Sequence, residues 1–146
     1  MAITSAVCTS FKVELLKGVH NFTATTGNTF KIALYDSDAT LGASTTAFST
    51  SEEITNTSGT AYTSGGASLT SVTPVASSTT AVCDFADTSF TSASFTARGC
   101  MIFNEDASGD PTVCVIDFGS DKTVTSGTFT IQFPTADASN AIIRIA

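Results

Sequence analysis

Short segments of strict apolar–polar alternation constrain this chain more than any other feature. In residues 127–133 (GTFTIQF), Phe129, Ile131 and Phe133 alternate with Thr128, Thr130 and Gln132, and Pro134 ends the run. Successive side chains of a strand point to opposite faces, so this segment buries one row and wets the other. Residues 28–35 (NTFKIALY) repeat the pattern. Phe30, Ile32 and Leu34 face one way; Thr29, Lys31, Ala33 and Tyr35 face the other. Composition agrees. Thr and Ser occur throughout, Phe is common, and Leu, Glu, Lys and Arg, the usual surface-helix formers, are scarce.

Other segments extend the reading. Residues 79–86 (TTAVCDFA) predict a strand, and Pro74 marks 67–75 as an edge or strand end because proline donates nothing to a ladder. Phe90 and Phe95 have opposite parity, which predicts a link or bulge between them. Residues 95–104 then form one strand bent near Gly99. Residues 104–111 (NEDASGDP) are the sharpest turn signal and predict a hairpin joining CMIF to residues 112–118 (TVCVIDF). Both flanking runs are apolar on both faces, as central strands of a packed double sheet are. Residues 119–126 predict a polar turn and 141–145 (AIIRI) a closing strand. Ser10 is the expected cap of a short helix over 11–19, where Phe11, Leu15 and Val19 recur every four residues; a terminal strand is the alternative. Residues 39–66 form a long polar loop or edge-strand excursion, with short strands expected near 50–55 and 60–63 and Phe48, Ile54 and Tyr62 as anchors.

The sum is about seven to nine strands, which predicts a mainly β chain, a single-domain β-sandwich spanning residues 1–146 with one short N-terminal helix. Jelly-roll and immunoglobulin-like topologies both fit.

The formal net charge of -7 argues against a nucleic-acid partner, which requires a basic face. No stretch has the length to cross a bilayer, and residues 1–10 lack the basic and apolar regions of a secretion signal, so synthesis in a cytoplasm is expected. The Asn21 and Asn56 glycosylation patterns are therefore set aside. Cys8, Cys83, Cys100 and Cys114 include no close pair of the kind zinc sites use. Three of them sit in apolar runs, which favours buried free thiols over disulfides.

Each sign of chemistry meets a plainer reading. Asn104, Asp106, Ser108 and Gly109 resemble the first half of a calcium loop, but the twelfth position is Val115 rather than Glu. Asp84, Asp87, Asp117 and Asp121 are a carboxylate set for hydrolysis only if two converge. His20 suits a helix C-terminus, where its ring meets free carbonyls. No GxSxG, Walker or dinucleotide motif occurs. The expectation is a non-enzymatic chain without cofactor or metal. Arg98 and Arg144, each beside or within an apolar strand, are either solvent-facing strand residues or interface anchors.

Three segments bear a family resemblance: Phe30-Lys31-Ile32-Ala33-Leu34-Tyr35; Phe95-Thr96-Ala97-Arg98-Gly99 with CMIFN; and Val115-Ile116-Asp117-Phe118-Gly119. With residues 127–134 and 140–145, they resemble the small capsid decoration, or cement, proteins of tailed bacteriophages. The resemblance implies a jelly-roll or β-sandwich body made in the host cytoplasm and placed on the virion surface. It further implies dimers or trimers that bridge major capsid protein subunits, without direct nucleic-acid or membrane contact. Phe11, Leu15, Phe48, Ile54, Tyr62, Arg98 and Arg144 are the candidate interface residues, carried by the N-terminal segment, the 39–66 loop and the two arginine-bearing strands. A tail, fibre-base or head-completion protein and a carbohydrate-binding module are the alternatives.

Overall fold

A computed structural model describes residues 2–55 and 62–146. It contains strands β1 (Ala6–Val7), β2 (Phe30–Tyr35), β3 (Ala67–Ser68), β4 (Ser71–Ser77), β5 (Thr80–Phe85), β6 (Thr88–Asn104), β7 (Thr112–Ile131) and β8 (Ile143–Ile145), with one helix, α1 (Thr9–Leu16). The strands form two antiparallel sheets, ordered β1-β7-β6-β2-β3 and β4-β5-β8. The chain is a mainly β sandwich.

Aromatic rings join the layers. Phe30 of β2 and Phe85 of β5 lie 5.7 Å apart, one from each sheet. Phe22 stacks on Phe30 at 4.3 Å and meets Phe11 of α1 edge-on at 6.0 Å. Burying such rings removes ~150–250 Å² each from water, the largest contribution a single side chain makes. A second group, Tyr62, Phe90, Phe95, Phe129 and Phe118, runs along the β6–β7 hairpin.

That hairpin dominates the larger sheet. β6 bends through register shifts around Ala93 and near Gly99, so the parity break between Phe90 and Phe95 is a bulge inside one strand. The 119–126 turn is not formed; those residues are the interior of the 20-residue β7. An advance from Ala97 to Gly99 on β6 matches one from Lys122 to Asp117 on β7, and the surplus residues bulge. Beyond Gly99 the hairpin extends past its pairing with β2, which ends at Tyr35, and past β1. It therefore keeps one wet face, where Thr96–Thr123 and Ser89–Thr130 hydroxyl pairs close at 2.8 Å.

Three further expectations are corrected. α1 starts at Thr9 with Cys8 at its N-cap and no side-chain cap bond; Ser10 sits inside it, its Oγ buried without a partner. Gly18 at φ 73 follows the helix, a backbone state that costs glycine least. β2 is buried on both faces, since Ala33 and Tyr35 are as inaccessible as Phe30 and Leu34. Within 39–55 there are single bridges, Ile3↔Leu41, Ala47↔Pro111 and Tyr35↔Glu53, and no strand near 50–55 where one is expected. Of the strand expected near 60–63, residues 62–63 are not extended in a ladder and 60–61 lie outside the described residues, as does Asn56. Pro74 falls at the bulge in β4, an edge strand, where its missing N–H breaks no ladder bond.

Candidate functional site

Exposed apolar groups are not spread evenly. Among the described residues, the exposed large hydrophobics are Val13 and Leu16 on α1, Val72 and Val75 on β4, and Ile145 on β8. The larger sheet contributes none. Leu16 is 91% exposed, so the helix spends its apolar surface outward as well as inward on Phe11. Between α1 and the smaller sheet runs a recess lined by Leu15, Pro74, Ala81, Val82, Ile143 and Ile145, with Phe11 and Phe22 behind. β4 and β8 are both edges of their sheet, with backbone groups free to pair.

A larger open cavity, about 580 Å³, lies between β7 and the segment that returns to β8. Ile116, Phe118, Phe129, Ile131 and Ile142 supply apolar walls, Cys100 the floor and Lys122 the single charge. The surplus residues of β7 place Phe118 and Lys122 there together.

The expected interface residues fall into three groups. Phe11, Ile54 and Tyr62 are core residues, 1%, 6% and 2% exposed, so their surface is already spent within the chain. The physical reason for Tyr62 is a buried polar network. Leu34 N–H donates to Tyr62 Oη at 2.9 Å, and the tyrosine donates to Glu53 Oε1 at 2.6 Å. Glu53, itself buried, also accepts from Ser64 Oγ and Gly65 N–H at 2.8 Å. Leu15 and Phe48 are half-buried; Phe48 stacks on Phe103 at 4.4 Å and pins the long loop to the hairpin. Both arginines are engaged internally. Arg98 Nε donates to Asp117 at 2.9 Å with Asp121 beyond, which raises the guanidinium pKa and lowers that of Asp117. Arg144 Nη1 donates to Ala138 O at 2.7 Å and holds the turn before β8.

His20 does not cap the helix. Its Nε2 meets Glu14 Oε2 at 2.9 Å and its Nδ1 meets Asn104 Nδ2 at 3.1 Å. Asn104 Oδ1 accepts from Asp106 N–H, which fixes the amide as donor to Nδ1 and assigns the ring proton to Nε2. The site is a buried strut between α1 and the hairpin. The Asn104 loop gives its oxygens to backbone donors, Asn104 Oδ1 accepting from Asp106 N–H at 3.1 Å and Asp106 Oδ2 from Thr29 N–H at 2.6 Å. Asp84 and Asp87 bond Phe85 and Phe133 N–H groups separately. Asp117 and Asp121 meet only across Arg98; among the described residues the group of three carboxylates that converges is Asp36, Asp38 and Glu52, with one oxygen of each within 4.8 Å of the others. The Asp36-Ser37-Asp38 turn was the only sequence sign of them; Glu52 arrives because Asp36 N–H donates to its carbonyl at 3.1 Å. Exposed oxygens in this arrangement suit a hard cation in type, and occur equally without one.

All four cysteines are buried and free. Burial pushes Cys8 up to about 11 and Cys83 and Cys100 up to about 12, so these thiols stay protonated and unreactive at neutral pH. No helix among the described residues is long and apolar enough to cross a membrane. Comparison with family models, curated proteins and solved structures finds no match for the chain.

Proposed function

We propose that the chain is a non-enzymatic structural protein of a virion, which decorates the capsid and bridges major capsid subunits. One observation carries the reading: the exposed large hydrophobics gather on α1, β4 and β8, around two open strand edges. Leu15, Pro74 and Ile145 line one recess there, and exposed apolar surface of this kind marks interaction sites. The contact surface in this reading is α1 with the β4 and β8 edges, in place of Phe11, Ile54 and Tyr62. Self-association as a dimer or trimer belongs to the same reading. Many copies on a lattice gain effective concentration, so a modest contact per copy suffices.

The test is a cryo-electron map of the native particle, with co-sedimentation of capsids and added protein. Density between capsomers with α1 facing the shell is expected, and Leu16→Asp is expected to reduce co-sedimentation at least tenfold while leaving the thermal midpoint unchanged. Density confined to a tail ring or fibre, or Leu16→Asp binding as tightly as the parent, overturns the reading.

A further inference from the structure

The cavity between β7 and the C-terminal segment takes no lining residue from α1, β4 or β8, and its chemistry is different from theirs. Its walls are aromatic and branched aliphatic, and its volume of about 580 Å³ falls inside the ~300–1,000 Å³ typical of small-molecule sites. Its one charge is Lys122. The neighbouring carboxylates Asp117 and Asp121 are both directed to Arg98, at 2.9 and 3.9 Å. Among the described residues Lys122 makes no salt bridge, and its Nζ donates to the Ser120 hydroxyl at 3.0 Å. Lys122 thus places a positive charge, held only by a hydroxyl among the described residues, beside an apolar cavity. The pair of features is complementary to a molecule with an apolar chain and one anionic end.

We propose that this cavity binds a single-chain amphiphile with a carboxylate head, of the medium-chain fatty-acid class. The chain lies among Ile116, Phe118, Phe129, Ile131 and Ile142, and the carboxylate meets Lys122 at the rim. The thiol of Cys100, buried on the floor, contributes shape only. A membrane surface is the other source of such chemistry, and it requires an exposed basic patch that this acidic chain does not supply.

Isoleucine-methyl NMR titrations of the isolated chain test the assignment, with sodium decanoate, decanol and decyltrimethylammonium, each below its micelle concentration. Saturable shifts confined to the Ile116, Ile131 and Ile142 methyls are expected with decanoate. The cationic amphiphile is expected to bind more weakly. Lys122 is exposed, so Lys122→Gln leaves the fold intact; it should weaken decanoate roughly fivefold and leave decanol unchanged. Ile142→Trp should fill the cavity and abolish both. Non-saturable shifts spread over the surface, equal binding of the cationic and anionic amphiphiles, or equal loss of decanoate and decanol in Lys122→Gln overturns the proposal. So does decanoate binding only when presented in anionic vesicles. None of these readouts depends on a virion, so failure here and failure of the structural-protein reading are separable.

Discussion

At the scale of the residue, the most demanding position is Glu53. A buried carboxylate is costly unless its oxygens are matched by donors. Here Tyr62, Ser64 and Gly65 supply three, and no cation among the described residues takes part. Tyr62→Phe removes one donor from Glu53 and, at the same stroke, the acceptor of Leu34 N–H. The ring itself remains, packed on Phe90 at 5.5 Å. The expected loss is ~1–3 kcal/mol, the range for leaving buried polar partners unmatched, read from the urea midpoint. A midpoint equal to the parent's would show that water replaces the hydroxyl. Tyr62 was legible as an anchor because it is a large residue in a polar loop. Glu53 was not, because one carboxylate among Ser and Thr residues has no pattern. Its donors come from residues 62, 64 and 65, and only the folded loop brings them together.

At the scale of the element, the β6–β7 hairpin shows where alternation succeeds and where it fails as a guide. Residues 127–133 lie as their pattern predicts, with Ile131 and Phe133 buried and Thr128, Thr130 and Gln132 exposed. Residues 119–126 read as a turn because Gly, Ser, Asp, Lys and Thr suit turns. They are strand because the hairpin outruns its neighbours and needs polar residues on its wet face. Thr serves either role, so composition does not decide between them. The bend near Gly99 was legible, and its cause is steric. A Cβ at Gly99 would stand 2.6 Å from Ile116 O and 2.9 Å from Ile3 Cδ1. A backbone carbonyl within a ladder yields little, so Gly99→Ala is expected to destabilise by ~1–3 kcal/mol or more through overpacking. Gly42→Ala is the control for glycine loss without a clash, since its φ is not left-handed and its Cβ would meet only Thr4 at ordinary contact, 3.8 Å. Equal thermal midpoints for the two variants would mean that the strand shifts freely at Gly99.

At the scale of the molecule, β character was written in the periodicity, whereas the partition of strands between sheets was not. β1 pairs with β7 at Ala6↔Val115, and β5 pairs with β8 at Ala81↔Ile145. Such distant partners leave no local mark. The same folding collects four thiols into the interior, and this makes stability depend on pH. In the unfolded chain each thiol titrates near the ordinary 9.0; in the native chain burial raises Cys8 to about 11, Cys83 and Cys100 to about 12, and Cys114 well above 9.0. Burial also raises Tyr35 and Tyr62 above 10.0. Above pH 9 the unfolded state therefore releases protons that the native state retains. The unfolded state binds fewer, so unfolding becomes more favourable as pH rises. The stability is fully present below pH 9 and is lost progressively toward pH 11–12. Each thiol contributes at most about 1.4 kcal/mol per pH unit across that window. The urea midpoint is expected to be level between about pH 7 and 8.5 and to fall steeply above 9. Cys83→Ala should shift the whole curve and reduce its alkaline slope, because one thiol fewer is then released on unfolding. A midpoint that holds level to pH 11, or thiols that react with a disulfide reagent at pH 8 faster than the chain unfolds, would show that these cysteines are reached by water in the native state.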